Sequence, residues 1–451
     1  MVRSGEKMRL GAFLSVPGHH VASWRYPDAA TDQLLDFELY KRIAQIAERG
    51  KFDMVFFADI LAAAAKNDAQ ITHMVNTRFD PMTLLPAMAA ATDKIGLAAT
   101  VSTTYNEPYH VARKFSTLDH ISKGRAAWNL VTSSNEDEAF NFSKDNHLLH
   151  ELRYQRAGEF VDVVTGLWDS WEDDALVMDK ESGIFAEKEK LHVLDYKGTH
   201  FAVRGPLNVA RPPQGHPVVV QAGSSEDGKE LAARTADVVF TAWQTLEEAK
   251  GFYDDLKGRL KQYGRSPESL KIMPGVFPII GQTEAEAKQK AELLRNLIPP
   301  AAGVGLLSRM IGVDLSKYPL DEPLPELPSE DAINGGKSRH SLLKNLAKRE
   351  GLTIRQLYQR IAGARGHREI LGTPTQIADQ LEAWFHAGAA DGFNIMPPYF
   401  PGGLEDFVEL VIPELQNRGL FRTDYEGNTL RENLGLSRSP NQFAKDSSHV
   451  I

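Results

Sequence analysis

The chain has 451 residues, of which 42% are hydrophobic and 25% are charged, as in an ordinary soluble globular protein. A net charge of −9 argues against a nucleic-acid surface, and the lack of cysteine excludes disulfides, thiolate catalysis and cysteine-ligated metals. We see neither a cleavable leader pattern nor an apolar stretch of roughly 18 residues, so we expect a cytoplasmic protein that binds no membrane.

Short apolar segments alternate with segments of helical periodicity, such as Asp36–Arg49. This alternation predicts a parallel sheet with right-handed crossovers. Eight strands favour a closed (β/α)₈ TIM barrel, and an open doubly wound sheet is the alternative. The predicted strands are Met8–Ser15, Phe52–Asp59, Ile95–Val101, Ala126–Ser133, Pro217–Ala222, Val238–Ala242, Ile272–Ile280 and Phe393–Met396.

Two segments exceed what a minimal barrel needs. We expect insertions at about 172–216 and, as the largest, at about 282–370 between strands 7 and 8. The second contains a proline-rich stretch and then helical patterning in Ser341–Ala362, and connections this long often act as lids. We therefore predict a single domain over 1–436 and a polar, loosely held tail over 437–451.

Polar side chains occur at the ends of the predicted strands, where barrel enzymes carry their reacting groups. Asp59 ends the second strand as either a helix cap or a ligand-binding carboxylate. Thr104 follows the third strand, where its hydroxyl serves either a turn or a ligand. Asn129 lies on the face opposite Trp128 and Leu130, as either a hydrogen-bonding plug or a partner for the polar edge of a bound ring.

A long helix is predicted to begin near His150. His150 and Tyr154 are four residues apart, so they share one face close to the positive end of the helix dipole. That pair suits a phosphate or a polar ring edge, and the alternative is ordinary exposed surface.

The fifth predicted strand runs into Gly223, Ser224 and Ser225 and then into a helix. Free N–H groups and two hydroxyls at a helix start form an anion site. The alternative is a capping box between Ser224 and Asp227. Glu226 and Asp227 would repel a phosphate unless they point away.

Two other chemistries have weak support. Gly303-Val304-Gly305 lacks the third glycine of a dinucleotide fingerprint, so direct NAD(P)H binding of the Rossmann kind is not supported. His147 and His150 are three residues apart and would face Asp59 in a metal site, but no H-E-x-x-H motif accompanies them. We therefore expect no metal.

Several long segments, in order along the chain, carry a family resemblance. They are GHHVASWRYPDA, FDMVFFAD, GRAAWNLVTSSN, HELRYQRAGEFVDVV, VVVQAGSSEDG and the long C-terminal stretch that begins GTPTQIADQLEAWF. The chain resembles the bacterial-luciferase-like flavin-dependent monooxygenases over nearly its whole length. It is most similar to the branch of nitrilotriacetate monooxygenase component A, dibenzothiophene-sulfone monooxygenase and long-chain alkane monooxygenase.

This resemblance implies a two-component monooxygenase. A separate NAD(P)H:flavin reductase would supply reduced FMN, and dioxygen would be activated as a flavin peroxide. The oxygen would enter a small organic substrate, which is a sulfone, an aminopolycarboxylate, an alkane or a heterocycle in similar proteins. A homodimer or homotetramer is also implied.

The resemblance also implies roles for residues of this chain. The phosphate would be held by Gly223, Ser224, Ser225 and Tyr154. The ring or ribityl chain would be held by Asp59, Thr104, Asn129 and His150. Catalytic candidates near the reacting oxygen are His20, His150 and Asn129. Candidate substrate contacts are Trp24, Asn394 and Tyr399, and the second insertion would add Tyr358, Arg365 and His367 to the pocket.

Three other functions remain open from the sequence. The first is a deazaflavin-dependent oxidoreductase on the same barrel. The second is a flavin-binding protein without turnover. The third is a metal-dependent barrel hydrolase. Binding of FMN rather than the deazaflavin, sustained oxygen consumption and insensitivity to chelators would separate the monooxygenase from them.

Overall fold

A parallel sheet of nine strands forms the centre of the molecule. The computed structural model describes residues 5–63, 68–328 and 337–444. The strands are β1 Arg9–Leu14, β2 Met54–Phe57, β3 Gly96–Ser102, β4 Ala126–Val131, β5 Tyr196–Lys197, β6 Ala202–Val203, β7 Val218–Ala222, β8 Val238–Thr241, β9 Lys271–Ile280, β10 Arg368–Gly372 and β11 Gly392–Ile395.

Eight of these strands close into a barrel in the order β1, β2, β3, β4, β7, β8, β9, β11. The ring closes because β11 pairs with β1, while β9 pairs with both β8 and β11. All eight predicted strands are present, so the (β/α)₈ barrel is confirmed and the open doubly wound sheet is wrong. The short strands β5 and β6 form a separate antiparallel pair between β4 and β7.

Helices surround the barrel and fill its longer connections. Among the described helices, none combines the length and the apolar character that a membrane crossing needs. The α-helices are α1 Phe37–Arg49, α2 Asp68–His73, α3 Pro81–Ala91, α4 Pro108–Ile121, α5 Asp137–Phe140, α6 His150–Trp168, α7 Glu226–Thr235, α8 Leu246–Arg259, α9 Glu284–Asn296, α10 Pro300–Ile311, α11 Lys337–Glu350, α12 Ile354–Ile361, α13 Pro374–His386, α14 Gly402–Asp406, α15 Ile412–Asn417 and α16 Leu430–Leu434. A π-helical segment, Phe407–Val411, links α14 to α15.

The largest connection joins β9 to β11, as predicted, and contains helices α9 to α13 and strand β10. The sequence analysis missed β10, which pairs with the second half of β9 from Val276 to Ile280. The helical pattern of Ser341–Ala362 is present but divided into α11 and α12. The division falls at Gly351, whose φ of +63° suits a residue without a Cβ atom. The domain limits at 1–436 and the insertion limits at 172–216 and 282–370 stay predictions.

Residues 437–444, the described part of the predicted tail, contact the connection between β4 and β7. Arg438 pairs with Asp173 at 2.5 Å, and the ring of Phe443 stacks on His192 with centroids 4.9 Å apart. Arg438 and Asp173 stay about half exposed to solvent, with 45% and 52% of their side-chain surface accessible, so the loosely held tail stays a prediction. The rest of the predicted tail lies outside the described residues.

Aromatic side chains fill the barrel interior. Phe13 of β1 packs edge-on against Phe56 of β2 and Phe240 of β8, with centroid distances of 4.9 and 5.3 Å. On β4, Trp128 points outward and meets Trp168 of α6. Because side chains alternate along a strand, the next residue, Asn129, points into the barrel.

Candidate functional site

The carboxyl ends of the barrel strands form a mouth, the face on which barrel enzymes place their chemistry. In the eight-strand order, β7 is four strands from β1, so the two strands stand on opposite sides of this mouth. The turn between β7 and α7 forms one side. The ends of β1 and β2, together with α10, form the other.

The β7–α7 turn has the local geometry of an anion site. Ser225 is the N-cap of α7, and its Oγ accepts a hydrogen bond from the N–H of Gly228 at 3.2 Å. The capping box suggested for Ser224 and Asp227 is therefore wrong, because the N-cap is Ser225 and the residue three positions on is Gly228. Ser224 is half-buried, and its hydroxyl has no partner within the described part of the chain. An unused hydroxyl thus sits just before the positive end of a ten-residue helix.

Tyr154 of α6 lies over this turn. A Cβ atom at Gly223 would be 3.4 Å from the phenolic oxygen of Tyr154, and one at Gly228 would be 3.2 Å from it. The two helices approach this closely because both positions lack a side chain. The hydroxyl of Tyr154 therefore joins Ser224 and the first N–H groups of α7 around one small volume.

The two acidic residues at the start of α7 both face a basic side chain. Glu226 lies 2.7 Å from Arg259, on the outer side of α7. Asp227 Oδ2 lies 3.2 Å from Nδ1 of His150, whose ring packs against Tyr154 with centroids 4.8 Å apart. The ion pair with Arg259 reduces the repulsion that Glu226 would exert on a phosphate at this turn.

The side-chain amide of Asn129 has a hydrogen bond at its nitrogen but, among the described residues, none at its oxygen. Its Nδ2 donates to Oγ1 of Thr100 at 2.7 Å, and that hydroxyl donates to the carbonyl of Phe57 at 2.6 Å. Oδ1 of Asn129 is buried and has no partner among the described residues. A buried acceptor without a donor is costly, so this atom favours a bound group that donates a hydrogen bond.

Asp59 and Thr104 lie on the neighbouring strand ends. Oγ1 of Thr104 donates to the carbonyl of Thr132 at 2.7 Å, which ties the end of β3 to the end of β4. Asp59 lines a small cavity of about 100 Å³, and its Oδ1 accepts from the N–H of Ile60 at 2.9 Å. Burial raises the pKa of Asp59, although the Ile60 hydrogen bond and Arg78 oppose that shift.

A much larger cavity, of about 1070 Å³, adjoins the ends of β1 and β2. Its far wall is α10 of the β9–β11 connection, so the insertion covers this side of the mouth. The polar lining includes His20, Arg78, Arg309 and Arg365. The volume is at the upper end of the range for small-molecule sites.

His20 is a buried, neutral imidazole in the wall of this large cavity. Burial lowers its pKa to about 3, and Arg365 acts in the same direction. Nδ1 accepts a hydrogen bond from the N–H of Ala22 at 3.2 Å, so the proton resides on Nε2. The side chain can therefore offer one N–H donor from Nε2.

The predicted substrate contacts lie outside the walls of the large cavity. Trp24 donates from Nε1 to a backbone carbonyl of α2 at 3.1 Å. Tyr399 stacks on Tyr26 with centroids 4.0 Å apart. Asn394 faces Gly11 inside the barrel, where a Cβ atom would be 2.6 Å from its Oδ1. Their substrate roles stay predictions.

Other residues near the mouth were missed by the sequence analysis. His19 has a hydrogen bond of 2.9 Å between Nε2 and the carbonyl of Phe13, and burial lowers its pKa to about 3. His367, which was expected only to shape the pocket, stacks on Phe240 at 4.8 Å. Arg78 and Arg309 lie far apart in the sequence and share no motif, so no local signal indicated that they line the same cavity.

The suggested metal ligands are engaged in other contacts. Nδ1 of His147 lies 2.6 Å from the hydroxyl of Tyr105, and His150 faces Asp227. Within residues 5–63, 68–328 and 337–444, no group of three or more acidic or histidine side chains is placed to hold a metal ion.

Comparison with known proteins adds to this geometry. The model of the family described as "Luciferase-like monooxygenase" matches residues 16–391. The chain is 54% identical to N-acetyl-S-(2-succino)cysteine monooxygenase of Bacillus subtilis (strain 168), over 99% of this chain and 100% of that protein. It is 53% identical to nitrilotriacetate monooxygenase component A of Aminobacter aminovorans, over 98% and 100%. The resemblance found in the motifs is confirmed.

Solved structures separate close relatives from remote ones. Riboflavin lyase, solved with modified FMN and riboflavin, superposes with a TM-score of 0.86 at 30% identity, over 96% of this chain and 97% of that one. An F420-dependent secondary alcohol dehydrogenase superposes with a TM-score of 0.58 at 16% identity, over 90% and 98%. The second likeness shows only a shared fold, so the deazaflavin alternative gains no support from it.

Proposed function

The chain belongs to the luciferase-like monooxygenase family and is a flavin-dependent monooxygenase, and on this premise we propose that it uses FMN reduced by a separate NAD(P)H:flavin reductase. It would work in the cytoplasm, where such a reductase draws on NAD(P)H. The substrate would be a small organic molecule of one of the four classes named above. A homodimer or homotetramer stays a prediction.

The observation that carries the FMN proposal is the β7–α7 turn. Ser224 keeps an unused hydroxyl there, Tyr154 closes over the turn, and the N-terminus of α7 provides N–H groups. These groups fit the phosphate of a mononucleotide. The orphaned Oδ1 of Asn129 fits a ring or ribityl donor in the barrel mouth. A close structural relative solved with a modified FMN supports the same assignment.

The residues present therefore fit the cofactor. Gly223, Ser224, Ser225 and Tyr154 would hold its phosphate, and Asp59, Thr104, Asn129 and His150 would hold its ring or ribityl chain. When bound, reduced FMN supplies two electrons, so that one atom of dioxygen can enter the substrate and the other can leave as water.

The protein itself would bind the cofactor and the substrate, exclude water from the site and hold a proton where it can be donated. The β9–β11 connection covers the large cavity, and covering a reaction site keeps water from the reacting oxygen. His20 stays neutral at physiological pH and presents Nε2–H, which makes it a hydrogen-bond donor to a substrate or oxygen atom. His150, through Nδ1, and Asp227 hold each other at the start of α7.

The proposed dependence on a separate reductase has structural support. Gly303 and Gly305 lie inside α10, where Gly303 packs against the ring of Tyr358. These glycines therefore serve helix packing rather than a phosphate-binding loop. The relative named as "component A" points to a system of more than one component.

The test supplies chemically reduced FMN, ¹⁸O₂ and a panel of sulfone, aminopolycarboxylate, alkane and heterocyclic compounds, with no reductase protein present. We expect one ¹⁸O atom in the product of at least one compound. Full conversion of dioxygen to hydrogen peroxide with every class would contradict the proposal. In a second arm an NAD(P)H:flavin reductase is added, and product that forms only in that arm would overturn the supply of FMN by diffusion.

A further inference from the structure

A chain of hydrogen bonds runs from a buried glutamate to the inner face of the barrel. Oγ of Ser133 donates to Oε2 of Glu138 at 2.6 Å, and Oγ of Ser102 lies 2.8 Å from Oγ of Ser133. Glu138 belongs to α5, Ser133 follows β4, and Ser102 is the last residue of β3. All three side chains are buried. Two hydroxyl groups therefore connect a carboxyl group outside the barrel to the end of a barrel strand.

The Ser102 end of this chain lies at the barrel mouth. Because side chains alternate along β3, Ser102 shares the inward face with Thr100, whose Oγ1 accepts from Nδ2 of Asn129 at 2.7 Å. Ser102 is two residues nearer to the carboxyl end of the strand, so its hydroxyl lies one layer closer to the mouth. The chain of hydrogen bonds thus ends beside the residues proposed to hold the flavin.

The direction of the chain depends on the protonation of Glu138, since each serine hydroxyl carries one proton. When Glu138 is ionised, Ser133 donates to the carboxylate and Ser102 donates to Ser133. Oγ of Ser102 also accepts from the N–H of Thr104 at 3.2 Å, so no proton remains for the mouth. When Glu138 is protonated, it donates to Ser133 and Ser133 donates to Ser102. The proton of Ser102 is then available at the mouth.

The surroundings of Glu138 favour a carboxyl group that keeps its proton. Glu138 is 4% exposed, and within residues 5–63, 68–328 and 337–444 it forms no ion pair. Burial raises its pKa and Asp59 adds to the rise, while the hydrogen bond from Ser133 opposes it. Glu138 and Asp59 line the same cavity of about 100 Å³, which has room for several water molecules. Water in this cavity can return a proton to Glu138.

Other titratable side chains face the same corner of the molecule, and they come from separate segments. They are Asp59, Asp80, Tyr105, Lys114 and His147. Burial raises the pKa of Tyr105 to about 12 and lowers that of His147 to about 4, so both are neutral near pH 7. Burial also raises the pKa of Asp59, but its Oδ1 accepts from the N–H of Ile60. Glu138 is the carboxyl group that the serine chain connects to the mouth.

Ser133 occupies a backbone position that favours glycine. Its φ is +55°, in the left-handed region, which costs a residue with a Cβ atom about 1 kcal/mol. A glycine at this position would be unstrained, but it would break the hydrogen bonds to Glu138 and Ser102. A strained residue whose hydroxyl joins these two groups points to a role for that hydroxyl beyond folding.

The overall reaction consumes a proton. Anionic reduced FMN, dioxygen, the substrate and one proton give oxidised FMN, the oxygenated product and water. Burial lowers the pKa of His20 to about 3, so His20 carries no extra proton near neutral pH. The reaction therefore needs another acid, which stays protonated near neutral pH and is connected to the mouth.

We propose that Glu138 holds this proton and passes it through Ser133 and Ser102 to the oxygen atom that leaves as water. Ser102 gives its proton to that oxygen and takes one from Ser133, while Ser133 takes one from Glu138. Glu138 is left as a carboxylate, and water in the cavity restores its proton. Because Glu138 acts through the two serines, it is a positioning residue. This inference rests on the proposed function, since it needs reduced FMN in the mouth.

The first experiment detects the proton on Glu138 in the full-length protein without flavin. Infrared spectra recorded from pH 4 to 8 follow the C=O stretch of protonated carboxyl groups. We expect a component that persists at pH 6, above the ordinary glutamate pKa of about 4.3, and that is absent in Glu138→Gln. The matched control is Glu136→Gln, an exposed residue just before α5, which should keep this component. Identical spectra of the unmodified protein and Glu138→Gln at pH 6 would overturn the proposal.

The second experiment compares turnover with chemically reduced FMN and a panel compound that takes up ¹⁸O. Product formation by the unmodified protein should fall as pH rises through the pKa of Glu138, because only the protonated form donates. Glu138→Gln keeps the size of the side chain and Ser133→Gly relieves strain, so both should fold normally. Both should form product about ten-fold or more slowly and lose this fall with pH, whereas Glu136→Gln should change neither. A normal rate, or a slow rate with the original pH profile, in both variants would contradict the relay.

FMN titration of the same variants separates the relay from cofactor binding. Reduced FMN should bind Glu138→Gln as tightly as it binds the unmodified protein. A weaker affinity together with a normal rate at saturating FMN would mean that Glu138 shapes the cofactor site, which overturns the relay. Failure of the unmodified protein to bind reduced FMN would remove the proposed function. A missing infrared component in a protein that binds reduced FMN would remove the relay alone.

Discussion

Nδ2 of Asn129 donates a hydrogen bond to Oγ1 of Thr100 at 2.7 Å, while Oδ1 of the same amide is buried without a partner. If the Asn129 amide only filled space in the barrel, its unpaired Oδ1 would lower the stability of the fold, and little else would compensate for that cost. We predict that Asn129→Leu lowers the affinity for reduced FMN about ten-fold or more, because a hydrogen bond in a dry site is lost. Fluorescence titration of FMN checks this.

The stability of Asn129→Leu distinguishes the two interpretations of Asn129. Replacement of an unsatisfied buried amide by an apolar group of similar size is close to neutral for folding. A variant that unfolds at a lower urea concentration and still binds FMN normally would identify Asn129 as a hydrogen-bonding plug and remove it from the cofactor site.

Substitutions of the two serines of the β7–α7 turn are predicted to have different effects. Ser225→Ala removes the N-cap of α7 and should lower the free energy of unfolding by about 1 kcal/mol. Ser224→Ala should leave stability unchanged and weaken FMN binding about ten-fold. The matched control is Thr245→Ala, which removes the cap of α8 and should destabilise without changing FMN affinity. Equal FMN affinity in Ser224→Ala would contradict the phosphate assignment.

Buried histidines should make the protein sensitive to acid. The pKa values of His19 and His20 are lowered to about 3 and that of His147 to about 4, and the pKa of His367 is lowered well below its usual value, in each case mainly by burial. Below pH 6.5 the unfolded chain therefore binds protons that the folded chain does not. Stability is complete above pH 6.5 and falls with decreasing pH, by about 1.4 kcal/mol per pH unit for each histidine.

Urea unfolding at pH 7.5, 6.0 and 5.0 measures this loss. The midpoint should drop steeply between pH 6.0 and 5.0, and His147→Gln should reduce the slope by about one quarter, since one of four such groups is removed. A midpoint that is constant from pH 7.5 to 5.0 would show that these histidines are not buried in the neutral form.

Substitutions at the opposite end of the barrel, away from the candidate site, should change stability but not FMN binding. Arg422 and Asp53 form a buried ion pair at 2.5 Å, and Asp53 also accepts from the N–H of Leu10 at 2.7 Å. Arg422→Met leaves the carboxylate of Asp53 buried with its charge uncompensated, so unfolding should become easier by about 3 kcal/mol or more. The folded fraction should bind FMN normally, because the pair lies at the amino ends of the strands. A loss of FMN affinity in Arg422→Met would contradict the prediction that this ion pair affects stability and not cofactor binding.

The barrel was predictable because its strands are short, apolar and separated by helical periodicity. β10 was missed because its residues, Arg368 to Gly372, are only partly buried and pair with a single strand. The contacts of residues 437–444 were not predicted, because the sequence does not indicate which distant residue a polar side chain pairs with. Arg438, for example, depends on Asp173, which is 265 residues earlier in the chain.

The candidate site was predictable where strand ends and helix starts carry its residues. Asn129 and the Gly223–Ser225 turn follow from strand alternation and from the chemistry of helix N-termini. The large cavity was not predictable, because Arg78, Arg309 and Arg365 come from segments that only the folded insertion brings together. Trp24 and Tyr399 lie outside the lining of this cavity, and their substrate roles stay predictions.

The central claim is that the mouth of this barrel binds reduced FMN through its phosphate. The most direct measurement is an anaerobic fluorescence titration of the purified protein with reduced and with oxidised FMN. The account predicts saturable binding of one reduced FMN per chain, weakened in Ser224→Ala and unchanged in Thr245→Ala. No saturable binding in either redox state would contradict it.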